Sequence, residues 1–192
     1  MESFEDLIEK VKQWGRDRNL TDPANLKNQF NKLVSEFGEI GEGVINLNED
    51  EVEDGCGDTM VVCIILAEQL LKPLVLDDFE RNWKGEALID SDSETLLIIG
   101  QGWLGRLADN VGKGQIEEAN ENLRGFLSTV VSYAHIETGG LYSCLGRAYN
   151  EIKDRKGVLY NGVFIKESDP RYESARAELG LVPQSLNRPP EQ

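Results

Sequence analysis

The sequence predicts an all-α protein with one short β-turn near its C-terminus, and two observations carry that reading. Apolar residues recur at steps of three and four along almost the whole chain, the spacing that lines one face of a helix. The punctuation is helical too: Asp22-Pro23, the Gly-Lys-Gly of 112–114 and Gly139-Gly140 are start and stop signals. With 192 residues, the chain can bury a sizeable core.

The first helix is predicted from about Phe4 to Arg18, with Phe4, Leu7, Ile8, Val11 and Trp14 on one stripe. The second starts at Pro23 and runs to about Asn46 through Phe30, Leu33, Val34, Phe37, Ile40 and Val44. The acidic turn NLNEDE leads into a third, about Glu51 to Leu71. Its run MVVCIILA is β-branched, but its length and the flanking EQLLK favour a buried helix. A short helix near DDFERNW and a polar linker, IDSDS, follow. Three more helices are expected at about Ser93 to Val111, Gln115 to Glu137 and Leu141 to Lys156. LYNGVF then reads as a tight two-stranded turn on Asn161-Gly162.

A shift of 66 residues lays MVVCIILA on FLSTVVSY, Leu33 on Ile99, Phe37 on Trp103, Phe79 on Leu145 and Trp83 on Tyr149. This predicts two fused helical repeats, 1–92 and a degenerate 93–167, forming an intrachain pseudo-dimer, with a loose tail at 168–192. Any two helical hairpins align to some degree, which is the plainer explanation. On this alignment Glu36, Glu39, Asp54 and Asp58 fall on Gly102, Gly105, Asn120 and Arg124.

A formal charge of −15 disfavours nucleic-acid grooves and anionic membranes as partners. No apolar run has the length of a membrane span, and MESFEDLIEK is not a signal peptide. Cys56, Cys63 and Cys144 form no ligand pattern and read as core thiols. A reducing cytoplasm is the expected setting. His135 reads as structural or surface-exposed.

The stretch SEFGEIGEG, 35–43, sets glutamates among glycines within a predicted helix, although each glycine costs roughly 0.8–1 kcal/mol there. Glu36 and Glu39 share one face; Asp54 and Asp58 share a face of the next, antiparallel helix. Four gathered carboxylates repel. Either they form a solvated acidic face, or a hard divalent cation offsets them, Mg²⁺ or Mn²⁺ suiting the oxygen donors. In the second case Gly38, Gly41, Gly43, Gly55 and Gly57 leave room for ions, water and substrate and let helices approach. The basic run NEIKDRKG offers Lys153, Arg155 and Lys156, with Asn150 beside them, and it reads either as helix C-terminal charge or as a phosphate grip. The matching DFERNWKG has only Arg81 and Lys84. One composite site, acids from one half and bases from the other, is expected.

WGRDRNL, QFNKLVSEFGEIGEGV, EDGCGDTMVVCIILAEQL and AYNEIKDRKGVLYNGVFIKE together resemble the MazG-like all-α nucleoside triphosphate pyrophosphohydrolases, especially short phage-type members. The resemblance covers about 5–72 and 141–167. It implies a four-helix-bundle core and paired subunits, so that a fused chain is either a monomeric pseudo-dimer or a homodimer. It also implies Mg²⁺-dependent cleavage of a nucleoside triphosphate between its α- and β-phosphates. The family's E-x-x-E matches Glu36 and Glu39; its E-x-x-D matches Asp58, while Gly55 stands at the glutamate position and Asp54 is taken as the substitute. Its basic element matches Lys153 and Arg155, with Lys32 as a further phosphate contact. The roles implied are Glu36, Glu39, Asp54 and Asp58 on the metal, Glu39 on the attacking water, and Lys153 and Arg155 on the departing pyrophosphate. Other nucleotides (dUTP, dCTP, phosphoribosyl-ATP, an alarmone) and a catalytically silent helical module are the alternatives. Trp14, Trp103 and Tyr149 read as core aromatics or base-stacking rings.

Overall fold

A computed structural model of the chain describes residues 3–71 and 90–181. The short helix expected near DDFERNW, with Phe79, Arg81, Trp83 and Lys84, lies outside them. The fold is all-α. The described helices are α1 (Phe4–Arg16), α2 (Leu26–Ile45), α3 (Glu49–Gln69), α4 (Ser93–Lys113), α5 (Ile116–Glu137), α6 (Leu141–Ile152) and α7 (Tyr172–Glu178). Two four-residue strands, β1 (Gly157–Tyr160) and β2 (Val163–Lys166), pair antiparallel. Among the described residues no helix is long and apolar enough to cross a membrane.

Local chemistry sets the ends. Ser3 and Asp6 form a reciprocal capping box on α1. Asp22 caps a 3₁₀ turn at Pro23–Asn25 ahead of α2, and Asn48 caps α3. Gly114 closes α4 in the left-handed region at φ 70°. Asn161 and Gly162, at φ 50° and 76°, make the tight hairpin turn expected of Asn-Gly.

Two antiparallel helical hairpins, α2–α3 and α4–α5, lie side by side: α2 packs on α4 and α3 on α5. Helix α6 crosses α3, and α1 covers both. All six helices share one hydrophobic core running from Phe4 to Ile152. The segment 60–67 is buried throughout in α3, as a helix. Cys56, Cys63 and Cys144 are buried free thiols; His135 is exposed.

The repeat register is corrected by one residue. At a shift of 66, buried Ile40 falls on exposed Arg106 and buried Val52 on exposed Glu118. At 67, Phe37, Ile40, Val52, Cys56, Thr59 and Met60 fall on Leu104, Leu107, Ala119, Leu123, Phe126 and Leu127, all buried. The reason is geometric: one residue turns a helix by about 100°, so a one-residue slip rotates the wrong face inward.

Two end regions also differ from expectation. Helix α6 stops at Ile152 rather than Lys156, leaving the basic residues in the segment that leads into β1. The tail expected to be loose from residue 168 begins with α7, whose Tyr172 and Ala175 pack on Val158 and Ile165 in a second small core. Residues 182–192 lie outside the description.

Candidate functional site

Between α2, α3 and the segment after α6 lies a cavity of about 260 Å³. Helix α2 lends it Gln29, Lys32 and Glu36 on successive turns, and α3 lends Asp58, Val61, Val62 and Ile65. Because the two helices run antiparallel, Glu36 and Asp58 meet at one end and Gln29 and Ile65 at the other. Arg155, Ile152, Trp14, Leu20 and Phe164 complete the lining. The cavity thus joins an ionic end to an apolar one.

Glu36 is only 2% exposed and forms an ion pair with Lys32, one turn earlier. Burial, then the charges of Glu36 and Asp54, push the Asp58 carboxyl up to about 6, against Lys32 and Arg155. Glu39 is also raised, by burial and then by Glu36. Glu36 and Asp54 thus raise both Asp58 and Glu39, though Glu39 is exposed and Asp54 lies beside the cavity. Arg147 of α6 also engages this edge. It donates to Glu53 Oε2 at 3.2 Å and lies 3.7 Å from Asp50, Asp54 and Glu151 carboxylate oxygens.

The donor set suits a hard divalent cation. All candidate ligands are carboxylates, burial and then the charges of Glu36 and Asp54 raise Asp58, and Asp54 Oδ1 is buried without a hydrogen-bond donor. Among the described residues no three acidic, histidine or cysteine side chains already converge as a metal cage.

Of the two roles expected of the glycines, three of them show helix approach. A Cβ on Gly43 would stand 2.9 Å from Val52 Cγ2, and one on Gly55 2.9 Å from Ile40 Cγ1. One on Gly57 would strike the Cys144 carbonyl. These three let α2, α3 and α6 approach. Gly41 faces Leu97, and Gly38 faces open space. Gly55 in particular is buried in the α2–α3 contact, so a side chain there would meet α2 rather than the acids.

Of the predicted basic residues, Arg155 alone lines the cavity beside Lys32. Its side chain makes no hydrogen bond or ion pair among the described residues, while its backbone is tightly held. Arg18 donates twice to the Arg155 carbonyl, at 2.8 and 2.6 Å, and stacks 4.7 Å from the Trp14 ring. Trp14 Nε1 donates to the Ile152 carbonyl at 2.8 Å. Lys153 instead hydrogen-bonds Asn150 Oδ1 at 2.9 Å, both being exposed. Lys156 pairs with Glu167 at 3.2 Å and lines a separate cavity with Tyr172 and Arg176. Trp103 and Tyr149 are partly buried against the core, away from the cavity lining.

Sequence reasoning missed Arg18, Gln29, Arg147 and Phe164. Arg147 stands four residues before Glu151 on one helix face, a spacing that signals pairing within α6 but says nothing of α3. Arg18 lies inside WGRDRNL, where only contact across the chain gives it a role.

No family model matches the chain, and no solved structure matches it. It is similar to the "Uncharacterized 18.2 kDa protein in rep-hol intergenic region" of Haemophilus phage HP1, at 42% identity over 69 residues. That stretch covers 36% of this chain and 42% of the phage protein, so the chain spans less than half the length of this curated relative.

Proposed function

We propose that the chain is a Mg²⁺-dependent nucleoside triphosphate pyrophosphohydrolase of the MazG-like kind, converting a (d)NTP and water to (d)NMP and pyrophosphate. The observation that carries the proposal is the cavity in which Glu36 and Asp58 face Lys32 and Arg155, the latter unpaired among the described residues, with an apolar chamber continuing behind them. Such a site suits a ligand that is polyanionic at one end and apolar at the other. The short motifs around the acids and bases add the reaction class.

Glu36, Asp54 and Asp58, with Glu39, would hold the ion, which when bound supplies Lewis acidity at phosphate oxygens. Glu39 takes a proton from the attacking water as its oxygen bonds to the α-phosphorus. The bond from that phosphorus to the bridging oxygen breaks, and pyrophosphate departs with the electron pair. Arg155 binds the leaving phosphates through its fork, and Lys32 adds a point charge. Lys153 reaches the phosphates only after leaving Asn150.

The test is product analysis after incubation with Mg²⁺ and a panel of NTPs and dNTPs, with Asp58→Ala alongside. Monophosphate and pyrophosphate, lost in the variant, are expected. Orthophosphate as the first product, or equal turnover by Asp58→Ala, would refute the reading. A second reading, a silent binding module, is favoured by one observation: Lys32 and Arg147 already neutralise the acids. Thermal melts separate the two, because an ion bound only by the native state at 100 times its Kd adds about 2.7 kcal/mol.

A further inference from the structure

The β-hairpin forms one wall of the apolar chamber. Phe164 of β2 is 39% exposed yet lines the cavity together with Trp14. The hairpin is fixed in place: Leu159 donates its N–H to the Arg18 carbonyl at 2.7 Å, and Asn19 Nδ2 donates to the Leu159 carbonyl at 3.0 Å. Its turn abuts the start of α2, where a Cβ on Gly162 would lie 3.3 Å from Asn28 Nδ2. Next to Asn28 stands Gln29, half-buried, lining the cavity and without a hydrogen-bond partner among the described residues.

We propose that this wall is a nucleobase site, with the base against Phe164 and Trp14 and its hydrogen-bonding edge read by the Gln29 amide. The assignment rests on the phosphate-binding role given above to Lys32 and Arg155, because the base must sit in the chamber continuous with them. Two aromatic rings suit a flat heterocycle. An amide presents a donor beside an acceptor, which every nucleobase edge can match and an alkyl or isoprenoid head group cannot. Leaving such a group unpaired behind an apolar ligand costs affinity, so the chamber discriminates against polyphosphates with purely apolar heads. Gln29 is a specificity residue here, one turn from Lys32 and two from Glu36.

The test compares the full-length protein with Gln29→Leu and Phe164→Leu in two assays. In calorimetry without metal, the wild type should bind nucleoside monophosphates at least about tenfold more tightly than ribose 5-phosphate, a gap of about 1.4 kcal/mol. Gln29→Leu should close most of that gap while leaving ribose 5-phosphate binding unchanged. In turnover, KM for NTPs should rise roughly tenfold or more and the ranking of bases should flatten, with inhibition by inorganic tripolyphosphate unaltered. A base-dependent gap without any hydrolysis would defeat the proposed reaction and keep the base site. Hydrolysis whose KM and base ranking ignore both variants would defeat the base site alone. Tighter binding of an isoprenoid diphosphate than of any nucleotide would also overturn it.

Discussion

Hairpins α2–α3 and α4–α5 bury matching positions 67 residues apart, yet they place opposite chemistry on that shared scaffold. Where the first has Glu36 and Asp58, the second has Trp103 and Gly125, and a Cβ on Gly125 would lie 2.7 Å from the Trp103 ring. Glu39 is matched by Arg106, whose guanidinium stacks 4.8 Å from that ring. The second hairpin therefore fills the place with an indole, a glycine and a cation that satisfy one another. The first leaves facing carboxylates there, and burial followed by the charges of Glu36 and Asp54 raises Asp58. Core positions define the hairpin, and this one facing pair is free to carry either packing or chemistry.

The largest effect should come from the pair itself. Asp58→Ala is expected to lower kcat/KM about 10²–10³-fold, the range for removing one preorganised electrostatic contact. Arg106→Ala, at the matching face of the second hairpin, should stay within about twofold. Equal losses would erase the functional distinction between the hairpins.

Next is Gly55→Glu, which rebuilds the glutamate spacing of the resembled motif. Because its side chain would enter Ile40, it should destabilise the fold by about 1–3 kcal/mol, lowering Tm without raising turnover. At the matching position Asn122 fits and hydrogen-bonds Asn110 and the Glu118 carbonyl, so Asn122→Gly should cost less. Equal melts for the two would show that α2 and α3 do not require the closer approach.

Arg18→Gln should raise KM for NTPs about tenfold by releasing the segment that carries Arg155. Combined with Arg155→Gln it should add little, since residues acting through one contact are non-additive. Additive losses, or a fall in Tm without a change in KM, would confine Arg18 to a structural role.

The smallest effect is a pH signature. The folded pKa of Asp58, about 6, exceeds its ordinary 3.8, so on raising the pH the unfolded chain loses this proton first. Its charge thus weakens folding progressively over about pH 4–6 and most fully above that. Without metal, Asp58→Asn should raise Tm at pH 7–8 by roughly 2–4 °C, the shift for about 1 kcal/mol in a chain this size, discounted for partial exposure. At pH 3.5 the gain should vanish. A gain of the same size at both values would point to packing instead of charge.

Helix periodicity and caps made the bundle legible in the sequence because burial and capping are local signals. The Asn-Gly turn was equally plain. The acidic half of the site was legible because Glu36, Asp54 and Asp58 keep helical spacing. The basic half was legible only as composition: Lys153, Arg155 and Lys156 are neighbours in sequence, but the chain leaves its helix at Ile152 and sends Arg155 alone into the cavity. At Gly55 the sequence offered two roles, because helix contact and ligand room ask for the same residue, and the contact with Ile40 is the one the fold uses. Arg147 and Arg18 act across 94 and 137 residues, beyond any periodic pattern.

The Arg18 clamp also has a consequence for how the protein is made. Its partner carbonyl lies 137 residues downstream, so at about 5–20 residues per second the ribosome needs roughly 7–27 s to supply it. The acidic hairpin is complete long before that. A nascent chain therefore carries Glu36 and Asp58 before Arg155 exists to face them, and the cavity lining is complete only once Phe164 has emerged. The candidate site is therefore among the last features of the described fold to be completed as the chain is made.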